Sequence, residues 1–149
     1  MSEAYYDTGF LFKVQAPEAD SAPVRTHAMT VDGLVCCIHG RAEFAAICHR
    51  KFREGAASQA QVKALLAQLE TDAVAGGIRW LPVSDAIIER VEEVCRTAPA
   101  TVFLRAADAL HLACAAEHGF KEIYSNDRHL LAAATLFGLR GVNLTAARP

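Results

Sequence analysis

Apolar and polar positions alternate along the chain in blocks that change period. Residues 4–7 (AYYD) read as a short strand, and Thr8–Val14 (TGFLFKV) is apolar at helical spacing. A polar break with Pro17 follows, then a weakly amphipathic segment over about 19–30. Leu34–Ile38 (LVCCI) is a continuous apolar run of strand length, as expected of a parallel strand buried on both faces. Helices are predicted over 41–54, ended by Gly55, and over 58–75, ended by Gly76-Gly77. A strand at 78–81 stops at Pro82. Ser84 is placed to cap a helix over 85–97 whose inner stripe is Ile87, Ile88, Val91 and Val94. The segment 105–118 (RAADALHLACAAEH) is helical and apolar almost all round, so it should be buried. A strand at 122–125, a helix at 127–137 and a last short strand at 141–144 complete the pattern. Short strands alternating with helices predict an α/β fold with a mainly parallel sheet covered on both faces, in a single domain over 1–149.

In such a sheet, ligands gather at the C-terminal strand ends, where helices begin. Four acids fall at these junctions or in first helical turns: Asp7, Glu43, Asp108 and Asp127. Taken singly, Asp7 and Asp127 read as helix N-caps and Glu43 as a complement to a helix dipole. Asp108 is harder to place that way. It is the one acid in the first two turns of the apolar helix, and a buried carboxylate needs a partner, either Arg105 three residues earlier or a metal. Carboxylates meeting in one cleft repel each other unless a cation neutralises them, and oxygen-only donors favour Mg²⁺ or Mn²⁺ over zinc. Such a centre activates water and stabilises an in-line displacement at phosphorus.

Composition bounds this picture. Hydrophobic residues make up 52% and charged residues 21% of the 149, which fits a compact globular chain. The net charge of −2 argues against passive nucleic-acid binding. Setting the four acids aside from the 17 Asp and Glu leaves fewer acids than the 15 Lys and Arg, so the remaining surface is slightly basic. The run His49-Arg50-Lys51 with Arg53 reads as a solvated helix face that could also contact phosphates. No apolar run is long enough to span a bilayer and no secretory leader is visible, so a cytoplasmic protein is expected. The five cysteines show no metal or CxxC spacing and read as reduced, mostly buried thiols. Nucleophile-elbow, Walker A and dinucleotide glycine patterns are absent. Asp7-Thr8-Gly9 is also the tripeptide of aspartic proteases, but those need it in a β-rich setting, supplied twice, whereas here an apolar helix follows.

The stretches YYDTGFLFKV, LRAADALHLACAAEHGF and IYSNDRHLLAAATLFGL, with RAEFAAICHRK matching more loosely, resemble the PIN-domain ribonucleases, specifically the VapC-type toxins of bacterial toxin–antitoxin pairs. The resemblance implies a PIN-like three-layer α/β/α sandwich with a short parallel sheet. It implies an Mg²⁺- or Mn²⁺-dependent endoribonuclease in which Asp7, Glu43, Asp108 and Asp127 hold one or two ions and position the attacking water. Asp7 and Asp108 are then the core ligands, Glu43 a ligand or orienter, and Asp127 a second-ion or water-mediated ligand. Thr8, Ser125 and Asn126 would brace these acids, and Arg50, Lys51, Arg105 and Arg128 would contact RNA. The implied partners are RNA, a cognate antitoxin and a second copy of the chain. The chain departs from the family at Gly9, where a polar residue is common, and before Glu43, where Ile38-His39-Gly40-Arg41 replaces a Ser or Thr approach. These departures keep open a non-catalytic interaction module, or a stand-alone nuclease without an antitoxin. His111, one turn beyond Asp108, reads as a packed helix residue rather than a partner of that acid, and the other histidines show no ligand spacing.

Overall fold

The computed structural model describes residues 2–146, so the outermost residues of the expected 1–149 domain lie outside it. Five strands and seven α-helices follow in the order β1 (Ala4–Tyr5), α1 (Thr8–Gln15), α2 (Ser21–Ala28), β2 (Leu34–Cys37), α3 (His39–Arg53), α4 (Gln59–Val74), β3 (Ile78–Leu81), α5 (Asp85–Thr97), α6 (Ala106–Glu117), β4 (Glu122–Tyr124), α7 (Arg128–Ala133) and β5 (Arg140–Val142). A 3-10 turn over Ala134–Phe137 extends α7, so the last predicted helix is split in two. Strands β1, β2 and β3 pair in parallel, as do β4 and β5. A parallel bridge from Tyr6 to Tyr124 joins the two groups, giving the order β3-β2-β1-β4-β5.

The buried strand residues split by parity, as the two-residue period of a pleated strand requires. Tyr5, Val35, Cys37, Leu81 and Ile123 enter a core with Ile87 of α5, Leu112 of α6 and Leu130 of α7. Ala4, Tyr6, Leu34, Cys36 and Ile78 enter a second core with Phe10 of α1, Phe44 of α3 and Leu69 of α4. The molecule is thus the expected α/β/α sandwich. The β1 ladder is short because the chain turns at once into α1, leaving Tyr6 on the bridge and Asp7 at the strand end.

Two local readings change. Helix α3 begins at His39 because Ile38 already takes right-handed helical angles (φ −58°, ψ −31°), so Glu43 stands in the second turn rather than the first. On α5, Ile88 is 42% exposed while Ile87 is fully buried, so the inner stripe runs through Ile87, Val91 and Val94. Ser84 caps α5 as read, accepting the Ile87 N–H. Four of the five free cysteines are buried and Cys95 is exposed. Among the described residues, no helix is long and apolar enough to cross a membrane.

Candidate metal centre

Asp7 leaves β1 and caps α1. Its Oδ1 accepts the Phe10 N–H at 2.9 Å, and its Oδ2 accepts the Ser125 hydroxyl at 2.5 Å. Ser125 follows β4, is fully buried, and in turn accepts the Asp127 N–H at 2.9 Å. Asp127 caps α7 through Oδ1, which takes the His129 and Leu130 N–H groups. The cap readings of both acids are therefore correct, and each cap uses one carboxylate oxygen. The Oδ2 of Asp127 receives Arg105 Nη2 at 3.1 Å. Arg105, the residue before α6, also donates from Nε to Asp108 Oδ2 at 3.1 Å. The buried Asp108 thus has the arginine partner that its position called for.

Glu43 is reached through the neighbour of Asp7. The Thr8 hydroxyl donates to Glu43 Oε1 at 2.9 Å, and His111 Nε2 lies 2.6 Å from the same oxygen. Tyr5 accepts the Cys37 N–H at 3.0 Å, so its own proton is free for His111 Nδ1 at 2.8 Å. This network assigns the imidazole proton to Nε2, facing Glu43. His39, one turn before Glu43 on α3, brings Nε2 to 3.3 Å from Oε1 and to 3.0 Å from the Ala107 carbonyl. His111 therefore serves Glu43, not Asp108. His39 was missed, although its i,i+4 spacing to Glu43 is the signal that could have found it.

The electrostatics differ between the acids. Burial pushes the Asp7 carboxyl above its ordinary range, helped by the negative Glu43 and opposed by Ser125, His111 and the Phe10 amide. Burial also acts upward on Glu43, but the hydrogen bonds from His111 and Thr8, with His39 close by, outweigh it, and the net shift is downward. An ionised Asp7 is thus short of positive charge, which a bound cation would supply. The donor chemistry fits Mg²⁺ or Mn²⁺: carboxylate oxygens on three different helix starts and one second turn, braced by hydroxyls. Asp7, Asp127 and Asp108 share one network, and Glu43 stands in a separate one with Thr8, His111 and His39. Among the described residues, the one group whose donor atoms all lie within 4.8 Å of one another is His39, Glu43 and His111.

The remaining expected residues are spread around this cleft. A Cβ at Gly9 would lie 3.6 Å from Asp7 Oδ1 and 3.9 Å from Asn126 Oδ1, so the Asn126 amide borders the space a polar side chain would fill. Arg128 is exposed at the start of α7. Lys51 pairs with Glu18 at 3.4 Å and covers the Phe12 ring, and it lies two turns along α3 from Glu43 with Arg50 beside it. Phe103, 55% exposed, packs at a tilt against His129 with its ring centroid 5.8 Å from the Arg105 guanidinium carbon.

The PIN-domain family model matches residues 4–136, and the chain belongs to that family of nucleases. Solved structures share the fold. The FitAB complex bound to an IR36 DNA fragment aligns at TM-score 0.69 and 14% identity, covering 98% of each chain. Mycobacterium tuberculosis VapC20, a toxin that cleaves the sarcin–ricin loop, aligns at 0.67 and 17%, covering 89% of this chain and 95% of its own. Rickettsia felis VapBC2, bound to a fragment of its promoter DNA, aligns at 0.65 and 10%, covering 95% and 98%. A comparison with curated proteins gives no match.

Proposed function

We propose that the chain is a cytoplasmic, Mg²⁺- or Mn²⁺-dependent endoribonuclease acting as the toxin of a toxin–antitoxin pair. The observation that carries this reading is the network joining Asp7 and Asp127, which follow β1 and β4, to Asp108 in the first turn of α6, with burial raising the Asp7 carboxyl. Asp7 and Asp108 are the core ligands, Glu43 a ligand or orienter held by Thr8, and Asp127 an outer or water-mediated ligand. A divalent ion here supplies charge neutralisation and an activated water. Ser125 fixes the free oxygen of Asp7, and Asn126 borders it. Arg105, Arg128, Arg50 and Lys51 offer cations to the RNA backbone. VapC20 is a toxin that cleaves the sarcin–ricin loop, and FitAB and VapBC2 are bound to DNA, VapBC2 to its promoter, which supports a toxin acting on nucleic acid with a DNA-binding partner.

The test is Asp108→Asn, which keeps the side-chain volume. Metal-dependent RNA cleavage falls by about 100-fold or more, growth inhibition is lost, and circular dichroism is unchanged. Full cleavage by a folded Asp108→Asn protein overturns the assignment. A second reading, a non-catalytic interaction module, draws on Arg105, whose guanidinium already bridges Asp108 and Asp127 as a built-in cation. Calorimetry with Mn²⁺ separates the two: absence of divalent binding at the acids favours the module.

A further inference from the structure

The histidines around Glu43 form a donor set of a different kind from the acids. His39 enters from the first turn of α3, Glu43 from one turn later, and His111 from α6 across the sheet edge. The separations are 2.6 Å for His111 Nε2 to Glu43 Oε1 and 3.3 Å for His39 Nε2 to the same oxygen, and the two rings lie 4.1 Å apart between centroids. Bonds of about 2.0–2.1 Å to a tetrahedral ion put donor atoms roughly 3.3 Å apart. The His39–Glu43 distance already meets that, and the His111–Glu43 pair needs only a small opening.

A ligating histidine ordinarily hands its second N–H to a fixed acceptor; ligation through Nε2 moves the His111 ring proton to Nδ1, and the Tyr5 hydroxyl, 2.8 Å away, turns from donor to acceptor. His39 Nδ1 is buried and, among the described residues, has no hydrogen-bond partner, a costly state for a ring held only by its own bonding. Ligation through Nε2 moves the His39 ring proton to that orphaned nitrogen and gives up the bond to Ala107. The Thr8 hydroxyl lies beside the trio, 3.2 Å from His111 Nε2 and 2.9 Å from Glu43 Oε1. Two imidazoles with one carboxylate suit zinc-like ions, whereas the neighbouring oxygen-only group suits magnesium.

We propose that His39, Glu43 and His111 form a second metal site, for a borderline divalent transition ion of the zinc and cobalt class. Glu43 is common to both centres. An ion between the histidines commits Oε1 and draws Glu43 away from Asp7 and Asp108. Resting on the nuclease reading above, this makes zinc an inhibitor of RNA cleavage.

The test uses the full chain, freed of metal by chelation. Cobalt(II) titration gives one equivalent with the strong visible bands of a four-coordinate nitrogen–oxygen site and no sulfur-to-cobalt charge-transfer band. Zinc calorimetry shows His39→Gln binding at least about tenfold more weakly than wild type, with Asp108→Asn within about twofold. Imidazole ¹⁵N spectra of wild-type protein shift for His39 and His111 at one equivalent of zinc, a readout that does not depend on how any variant folds. A thiolate charge-transfer band, equal zinc affinity in folded His39→Gln, an equal loss in Asp108→Asn, or unshifted His39 and His111 overturns the site. Zinc bound at the trio with RNA cleavage unaffected overturns the inhibitory role alone. Failure of Asp108→Asn to lose cleavage in the absence of zinc strikes only the nuclease reading.

Discussion

Asp7 serves three purposes on one carboxylate: it caps α1, anchors Ser125, and faces the cleft. Its carboxyl is raised by burial, so the folded state holds that proton more tightly than the unfolded state. Stability then falls as pH rises from the ordinary aspartate value through the raised one, and the penalty stays in full above it. Glu43 is lowered and acts in the opposite sense: its contribution is present above the ordinary glutamate value and is lost as pH falls through its lowered one. Asparagine is as good an N-cap as aspartate. Asp7→Asn should therefore raise the thermal midpoint at pH 8 in the absence of divalent ions by a few degrees, on the order of 1 kcal/mol, while abolishing cleavage. The gain should vanish at about pH 3, where Asp7 itself is protonated. Thermal melts in chelator at both pH values check this, and a lower midpoint at pH 8 would show that the buried charge is already compensated. Cap, junction and i,i+3 pair were legible around Asp7, Asp127 and Arg105 because each depends on near neighbours in the chain. The Tyr5–His111–Glu43 relay was not, because its members stand 38 and 68 or more positions apart and meet only through packing.

Helix α3 starts without a side-chain cap, and Gly40 in its first turn explains how that start sits so close to the cleft. A Cβ there would stand 2.6 Å from Cys36 Sγ, 3.1 Å from Thr8 Oγ1 and 3.4 Å from the Trp80 ring. Alanine in place of a helical glycine ordinarily gains up to about 1 kcal/mol. Here overpacking of roughly 1–3 kcal/mol outweighs it, so Gly40→Ala should lose about 1 kcal/mol by denaturant unfolding. It should also push the Thr8 hydroxyl off Glu43 and weaken metal-dependent cleavage. A Gly40→Ala protein more stable than wild type would mean that β2 and α3 have room to separate. In the sequence, Ile38-His39-Gly40-Arg41 reads only as a weak helix approach. The closeness of β2, α1 and α3 that makes glycine necessary belongs to the sandwich.

Across the whole molecule, both faces of the sheet are covered, yet apolar surface remains. Ile38, Leu66, Leu69, Val74 and Trp80 line an open groove between α3, α4 and β3, with Val74 85% exposed. Leftover apolar surface of this kind is what a subunit or antitoxin contact covers. If the chain is the expected homodimer through this groove, Leu66→Glu with Val74→Glu shifts its mass in light scattering from dimer to monomer and leaves Mn²⁺ affinity unchanged. An unshifted dimer places the contact elsewhere. The sequence by itself determined the α/β alternation, most of the helix stops, and the placing of Asp7, Asp108 and Asp127 at strand ends or in first turns, because periodicity, caps and glycine stops are local. Tertiary structure alone decided which of those acids share a network, that Arg105 bridges Asp108 and Asp127, and that two histidines 72 positions apart close on Glu43. Those outcomes depend on how β1 meets β4 and how α6 crosses the sheet, and no window of the chain contains both partners.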